Sequence, residues 1–137
     1  MDSLVRIANY FYTEVPERAG EGARVLAQLR DAGVDLLAFS GFPAGRRAQL
    51  DFVPDNPAAF RSAAKKIGLK VTGPKRLFLV QGEDRMGVMA ELLGRLAEAK
   101  ISVIASQAVC AGERRFGSLL WVAPRDVKRA AKALGAG

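Results

Sequence analysis

Residues 82–104 read GEDRMGVMAELLGRLAEAKISVI, and this stretch decides the predicted fold. A turn of the form acidic-Arg-x-Gly at residues 84–87 leads into a segment whose apolar residues recur with helical spacing. Leu92, Leu93 and Leu96 fall on one stripe of that helix. An apolar segment follows at residues 101–109. The stretch therefore predicts a turn, an amphipathic helix and a strand.

The same pattern occurs earlier in the chain, at residues 17–40, which read ERAGEGARVLAQLRDAGVDLLAFS. Aligned without gaps against residues 84–107, this copy has Arg18 opposite Arg85 and Gly20 opposite Gly87. Gly33, which suits the C-terminus of a helix, stands opposite Lys100, which suits the negative end of the helix dipole. Self-similarity at a fixed spacing indicates that the chain contains two copies of one structural unit.

Each copy continues with a hairpin, a further strand and a second helix. Proline and glycine mark the turns and the helix ends, since they punctuate regular structure. The predicted strands are residues 4–13, 34–39, 48–53 and 69–72 in the first copy and residues 77–81, 101–109 and 116–122 in the second. The hairpin turns are predicted at residues 41–45 and 111–113, and the second helices at residues 58–67 and 125–134.

This order predicts an α+β fold made of two ferredoxin-like βαββαβ modules in tandem, with antiparallel sheets and helices on one face. The modules are predicted at residues 1–73 and 74–137, joined at Gly73-Pro74. The second module ends soon after its second helix, so it is expected to lack its last strand.

Two features of the second module predict self-association. The missing strand leaves residues 77–81 as an unpaired edge, and such edges pair readily with other chains. Leu77 and Leu79 alternate with Phe78 and Val80, so both faces of that strand are apolar. The second face requires a cover, which is the sheet of the first copy, another subunit or a ligand, unless the strand is wrongly phased. We therefore expect a homodimer or a higher oligomer.

The composition excludes several classes of function. The 137 residues include no histidine and one cysteine, and the net charge of the chain is +7. The absence of histidine removes the usual general base and most transition-metal sites. We expect no enzymatic activity, no metal and no cofactor. No apolar run is long enough to cross a membrane, and Cys110 has no intrachain partner, which fits a soluble cytoplasmic protein.

The turn–helix–strand pattern of residues 82–104, and more loosely of residues 14–20, resembles the ACT domain family. The proline that the family usually has before the loop glycine is replaced by Ala19 in one copy and Met86 in the other. The family consists of small βαββαβ regulatory modules of amino-acid metabolism. The resemblance implies a protein that binds a small ligand, an amino acid, and acts through self-association or through a regulated enzyme partner.

The resemblance also implies a site, because such domains bind amino acids between the loop before the first helix of one module and the second strand of a neighbour. Carried over to this sequence, the loop residues are Glu17, Arg18, Ala19 and Gly20 in the first copy and Asp84, Arg85, Met86, Gly87 and Val88 in the second. The facing strands are residues 36–39 and 103–107, with Val103, Ile104, Ala105 and Ser106 as ligand-binding residues.

The residue types in these loops suit an amino acid. Each loop leads into a helix N-terminus, whose N–H groups and positive dipole end favour a carboxylate. Glu17 or Asp84 would hold the ammonium group, and Arg18 or Arg85 would assist the carboxylate. The alternative is that the loop glycines serve only turn geometry and that the acids cap the helices.

RNA-recognition-motif proteins share the βαββαβ topology and are the alternative family. Phe78 stands in a segment that resembles their first strand, and residues 114–121 partly resemble their third. However, Arg115 stands where that family has glycine, and Ser118 stands where it has its main stacking aromatic. We therefore expect nucleic acid to bind only weakly and without sequence preference, through the positive charge.

Overall fold

The structure, a computed structural model, describes residues 3–136, which contain four α-helices and six strands. The strands are β1 (Ser3–Pro16), β2 (Leu36–Ala44), β3 (Arg47–Pro54), β4 (Thr72–Glu83), β5 (Val103–Gly112) and β6 (Arg115–Val122). The helices are α1 (Glu21–Asp31), α2 (Pro57–Lys66), α3 (Val88–Glu98) and α4 (Val127–Leu134), with a 3₁₀ turn at Pro124–Asp126 before α4. No helix in the described residues is long and apolar enough to span a membrane.

The chain divides into two compact units. The first unit contains residues 9–75, and the second contains residues 76–136 together with the start of β1. In the first unit β2, β3 and β1 lie side by side in that order, and in the second β4, β6 and β5 do so. All the strand pairs within these two sets are antiparallel. The predicted α+β architecture of two ferredoxin-like modules is confirmed.

The two copies of the repeat also share the backbone conformation that ends their first helices. Gly33 follows α1 with φ 82°, and its N–H donates to the carbonyl of Arg30 at 2.9 Å. Lys100 follows α3 with φ 58°, and its N–H donates to the carbonyl of Ala97 at 2.9 Å. The predicted correspondence between Gly33 and Lys100 is confirmed, since both residues occupy the left-handed position that ends a helix.

Each unit has its own apolar core on the helix side of its sheet. In the first unit the ring of Phe60, from α2, lies 4.8 Å from that of Phe11 and 5.5 Å from that of Phe52, measured between centroids. The core of the second unit includes Phe78 and Leu120, both completely buried. These cores hold the loops before α1 and α3 in place, because each loop joins a core strand to a core helix.

The predicted strand at residues 69–72 is wrong, because regular strand structure begins only at Thr72. The hydroxyl of Thr13 donates to the carbonyl of Lys70 at 2.8 Å. This carbonyl is therefore bonded to a side chain, whereas in a β-sheet it would accept from the backbone N–H of a neighbouring strand. Leu69 and Val71 pack against the core of the first unit. From Thr72 the chain continues as one strand, β4, through the Gly73-Pro74 joint into the predicted first strand of the second module.

The second module ends with α4, and no strand follows it in the described residues, as predicted, but the unpaired edge expected at residues 77–81 is wrong. Residues 3–8 of β1 belong to the second unit, where Val5 is buried in the core and Ile7 packs against it. Strand β4 consequently has neighbours on both sides, β1 and β6, and is not an edge. The module boundaries at 1–73 and 74–137 describe the sequence repeat and stay a prediction. The compact units divide the chain after residues 8 and 75.

The second apolar face of β4 is covered within the chain. Leu77, Leu79 and Leu119 are 1%, 4% and 4% exposed. No second subunit is needed to bury them. The two sequence features that predicted self-association are therefore both satisfied inside one chain, and the oligomeric state stays a prediction.

The hairpins are longer than predicted. Strand β2 continues through residues 41–44, which were expected to form a turn, and β5 continues to Gly112. The turn between β5 and β6 consists of Glu113 and Arg114, with φ 52° and 61°. A two-residue turn with positive φ at both residues matches the right-handed twist of the strands on either side of it. The backbone hydrogen bonds between β5 and β6 can therefore continue as far as the turn.

Candidate ligand-binding site

The two predicted loops end in the same backbone geometry. Gly20 and Gly87 are the N-cap residues of α1 and α3, with φ 88° and 80°, and neither helix start has a side-chain cap. This conformation favours glycine, because other residues pay a steric cost there. The alternative that Glu17 and Asp84 cap the helices is therefore wrong. The first N–H groups, of Glu21 and Val88, donate to the carbonyls of Arg18 and Arg85 at 3.3 Å, and the next N–H groups of each first turn stay available to a ligand or to water.

A pocket of about 240 Å³ lies beside the start of α1 in the first unit. It is lined by Val15, Pro16, Glu17, Arg18, Ala19, Glu21, Gly22, Ala48 and Leu50. Three predicted site residues, Glu17, Arg18 and Ala19, line this pocket. Gly20 is absent from the lining and acts as the helix cap. The predicted loop thus forms one wall of this pocket, and the start of α1 and one face of β3 form the others. Ligand binding by the loop stays a prediction.

Glu21 is a pocket residue that the sequence prediction missed. Its carboxylate is 3.0 Å from the guanidinium of Arg24 and 3.8 Å from that of Arg18. Only 18% of its side chain is exposed, whereas 70% of the Arg18 side chain is. The spacing of three residues to Arg18 and to Arg24 was the available signal, because residues three apart on a helix are neighbours. Arg18 is therefore paired with Glu21 in the structure.

The second loop, before α3, is more open. Met86 is 99% exposed, while Val88 is buried in the core of the second unit. Arg85 forms an ion pair with Glu91, which also pairs with Arg95 at 2.9 Å. The hydrogen bond and charge of Arg85 hold the pKa of Glu91 below its ordinary value. Val88 therefore belongs to the core, and the guanidinium of Arg85 already has a carboxylate partner.

Asp84 connects this loop to the end of β5. Its backbone N–H donates to the carbonyl of Arg114 at 2.6 Å. A side-chain hydrogen bond with Asp84 raises the pKa of the exposed Cys110 thiol, and burial and the charge of Asp84 act in the same direction. A raised pKa disfavours the reactive thiolate. The carboxylate, rather than a neighbouring arginine, thus determines the character of Cys110.

The other predicted site residues, Val103, Ile104, Ala105 and Ser106, lie at the opposite end of the same sheet. Ser106 pairs with Leu120, which pairs with Phe78, whereas the loop follows Glu83. The distance along β4 from residue 78 to residue 83 is about 17 Å at ~3.4 Å per residue. Within one unit the loop and this strand segment do not meet. The two parts of the predicted site can share a ligand only if a neighbouring module supplies one of them.

The two positions that correspond to base-stacking residues in RNA-binding proteins, Phe78 and Ser118, lie inside the protein. Phe78 is completely buried in the core of the second unit, and Ser118 is 3% exposed. Base stacking requires exposed aromatic rings on the sheet surface.

In the described residues no group of three or more Asp, Glu or Cys side chains is placed to hold a metal ion.

Comparisons with known proteins support the fold. No protein-family model matches the chain, and no curated protein sequence matches it. Among solved structures, protein BT0572 from Bacteroides thetaiotaomicron is 14% identical with a TM-score of 0.80, covering 96% of this chain and 88% of that one. The ligand-free regulatory subunit of aspartate kinase from Thermus thermophilus is 16% identical with a TM-score of 0.66, covering 98% and 95%.

The chain has the tandem ACT fold. A third structure, of aspartokinase alpha and beta subunits, is 18% identical with a TM-score of 0.63, and the match covers 98% of this chain and 95% of that one. The predicted resemblance to ACT modules is thus confirmed at the level of the fold. At these identities the similarity describes architecture, and the chemistry must be argued from the residues of this chain.

Proposed function

We propose that this protein is a regulatory protein that binds an amino acid and has no catalytic activity of its own. The observation that carries the proposal is the pocket beside the uncapped N-terminus of α1. The structures with the same fold support it, since one of those named above is a regulatory subunit of aspartate kinase. The output passes through self-association or through a regulated enzyme, and a cytoplasmic location fits the single free Cys110.

The pocket offers a place for each part of an amino acid. The helix start presents N–H groups and the positive end of the helix dipole to the carboxylate. Glu17 and Glu21 offer carboxylates to the ammonium group, and Glu21 is paired with Arg18 and Arg24. Val15 and Leu50 offer an apolar wall to the side chain. We therefore infer that the favoured ligand is a zwitterion with a small apolar side chain.

The size of the pocket supports a ligand of this class. A volume of about 240 Å³ lies below the ~300–1,000 Å³ typical of pockets for drug-sized molecules. It equals the space of roughly eight water molecules. A single amino acid fits such a space.

The loop at residues 84–88 forms a second ligand site in this proposal. Asp84 offers a carboxylate, and the N–H groups that follow Val88 in the first turn of α3 offer the anion site, since that of Val88 donates to the carbonyl of Arg85. Completion of this site requires Val103, Ile104, Ala105 and Ser106 of a neighbouring module.

A thermal-shift screen with each of the twenty amino acids tests the proposal. A ligand that binds only the native state raises the melting temperature in proportion to the logarithm of its concentration. We expect one or more small apolar amino acids to do so at millimolar concentration. If none of the twenty changes the melting temperature, the proposed function is wrong.

A matched pair of variants tests the location. Gly22 lines the pocket, and a Cβ added there meets no atom within 4 Å, so Gly22→Leu fills the pocket without a backbone clash. Gly94, in α3, has equally free space and serves as the control Gly94→Leu. Both changes replace glycine in a helix and should not reduce stability. Calorimetry should show binding lost in Gly22→Leu and retained in Gly94→Leu. Equal binding by both variants would contradict the pocket assignment.

A further inference from the structure

A second cavity of the first unit lies outside the pocket described above. It is a groove of about 320 Å³, and its lining is Tyr12, Thr13, Glu14, Lys70, Val71 and Thr72. One wall is therefore part of β1, and the other is the segment that leads from α2 into β4. The groove and the pocket beside α1 share no lining residue, so binding in the groove does not depend on the proposed function.

Lys70 is held at the wall of the groove by its backbone. Leu69 and Val71 pack against the core of the first unit, and Lys70 lies exposed between them. The hydroxyl of Thr13 donates to the carbonyl of Lys70 at 2.8 Å, which fixes this residue beside β1. The side chain of Lys70 forms no hydrogen bond or ion pair within residues 3–136. Its ammonium group is therefore available to an anion.

Two further cations lie against β1 next to the groove, one on each face of the strand. The guanidinium of Arg61, in α2, is 5.9 Å from the centroid of the Phe11 ring. The ammonium of Lys75, in β4, is 5.5 Å from the centroid of the Tyr12 ring. Phe11 and Tyr12 are consecutive residues of a strand, so their side chains point to opposite faces. Attraction between a cation and an aromatic ring keeps both charges at this part of β1.

The charge of this part of the first unit is positive. Residues 56–75 contain five basic residues and no acidic residue. Two carboxylates oppose this charge, because Glu14 lines the groove and the buried Asp51 interacts with Lys75. Glu14 is itself paired with Arg47 at 3.6 Å. The basic residues remain in excess, and a surface of this kind raises the local concentration of anions.

We propose that this groove binds the phosphate group of a small molecule, with the ammonium of Lys70 as the main charged contact. A lysine ammonium binds phosphate as a point charge, and the exposed hydroxyl of Thr72 can donate to a phosphate oxygen. The ring of Tyr12 offers a flat wall to the rest of the ligand. The volume of the groove lies at the lower end of the ~300–1,000 Å³ typical of small-molecule pockets, so an organic phosphate should bind more tightly than inorganic phosphate.

Calorimetry on the full chain, in a chloride buffer without phosphate, is the first test. The probes are AMP, glucose 6-phosphate and inorganic phosphate, and adenosine and glucose are the uncharged counterparts. We expect at least one of the two esters to bind, and to bind more tightly than its uncharged counterpart. If inorganic phosphate binds as tightly as the esters or more tightly, the phosphate site is supported and free phosphate is its ligand. If no phosphate probe binds at millimolar concentration, or if adenosine and glucose bind as tightly as their esters, the proposal is wrong.

Matched substitutions test the location of the site. Lys70→Gln should weaken binding about tenfold, because it removes a hydrogen bond from a charged donor. Lys66→Gln removes the same charge from an exposed position of α2 outside the groove lining and should weaken binding much less. Glu14→Gln removes the carboxylate of the lining and should strengthen binding, whereas Asp31→Asn, which also removes one partner of an exposed ion pair, should not. Equal losses in the two lysine variants, or equal affinities of Glu14→Gln and Asp31→Asn, would overturn the proposal. Melting curves verify that each variant is folded.

Discussion

Gly73, the second residue of β4, is the position where one added methyl group should cost the most. Its φ is 140°, which side chains rarely adopt. A Cβ built there lies 2.8 Å from the carbonyl oxygen of Tyr10 and 2.9 Å from the ring of Phe11. Both atoms belong to β1, and the oxygen is part of the backbone, so it cannot turn aside as a side chain would. Gly73→Ala therefore combines backbone strain with an overpacked contact.

The magnitude follows from these two terms. A strained backbone conformation costs about 1–3 kcal/mol, and an added methyl in a packed site costs about 1–3 kcal/mol. We expect Gly73→Ala to lower the free energy of unfolding by roughly 2–6 kcal/mol. Gly68→Ala is the matched control: its φ is 75°, but a Cβ there meets no atom within 4 Å. Only the left-handed strain remains, about 1–2 kcal/mol.

Urea titration of the native chain and of both variants measures the difference. The midpoint should fall further for Gly73→Ala than for Gly68→Ala, with the denaturant slope unchanged. If the two variants lose equal stability, the added methyl group at residue 73 does not clash with the carbonyl of Tyr10, which would refute the predicted difference.

Three further measurements test the electrostatics of the molecule. Burial is the main cause that raises the pKa of Asp51, so the native state binds its proton more tightly than the unfolded state does. Stability from this group therefore falls as pH rises through the native pKa. Asp51→Asn should raise the free energy of unfolding at pH 7, and the gain should shrink toward pH 4; a gain that is constant with pH would contradict the assignment. Because Asp84 raises the pKa of Cys110, Asp84→Asn should speed alkylation of that thiol by iodoacetamide at neutral pH, whereas Glu83→Gln should not. Nucleic acid should bind weakly and lose affinity steeply with added salt, as counterion release requires; tight, sequence-selective RNA binding at physiological salt would refute this.

The sequence predicted the loop of the candidate site, but it did not predict the residues of α1 and β3 that form the rest of the pocket lining. The acidic-Arg-x-Gly pattern located Glu17, Arg18 and Ala19 in the pocket, since a turn before a helix is encoded locally. The participation of Glu21 and Leu50 depends on how α1 and β3 pack, which no local pattern reports. Val88 was assigned to the ligand site, but its side chain lies in the core, because the first apolar position of α3 faces the sheet.

Hydrophobic periodicity and turn residues by themselves determined the two copies of the repeat, the α+β class and the order of helices and strands. These features depend on the spacing of residues close together in the chain. The ends of α1 and α3 were likewise predictable, because Gly33 and Lys100 occupy equivalent places after their helices.

Only the tertiary structure decided which strand segments complete each sheet. Residues 3–8 belong to the second unit and residues 72–75 to the first, so β1 and β4 each divide between the two. An alternating apolar pattern shows that a segment has one face to bury, but it does not show against which strand or core. That choice is made by the total apolar burial and the hydrogen-bond pairing of distant segments, which exist only once the whole chain has folded.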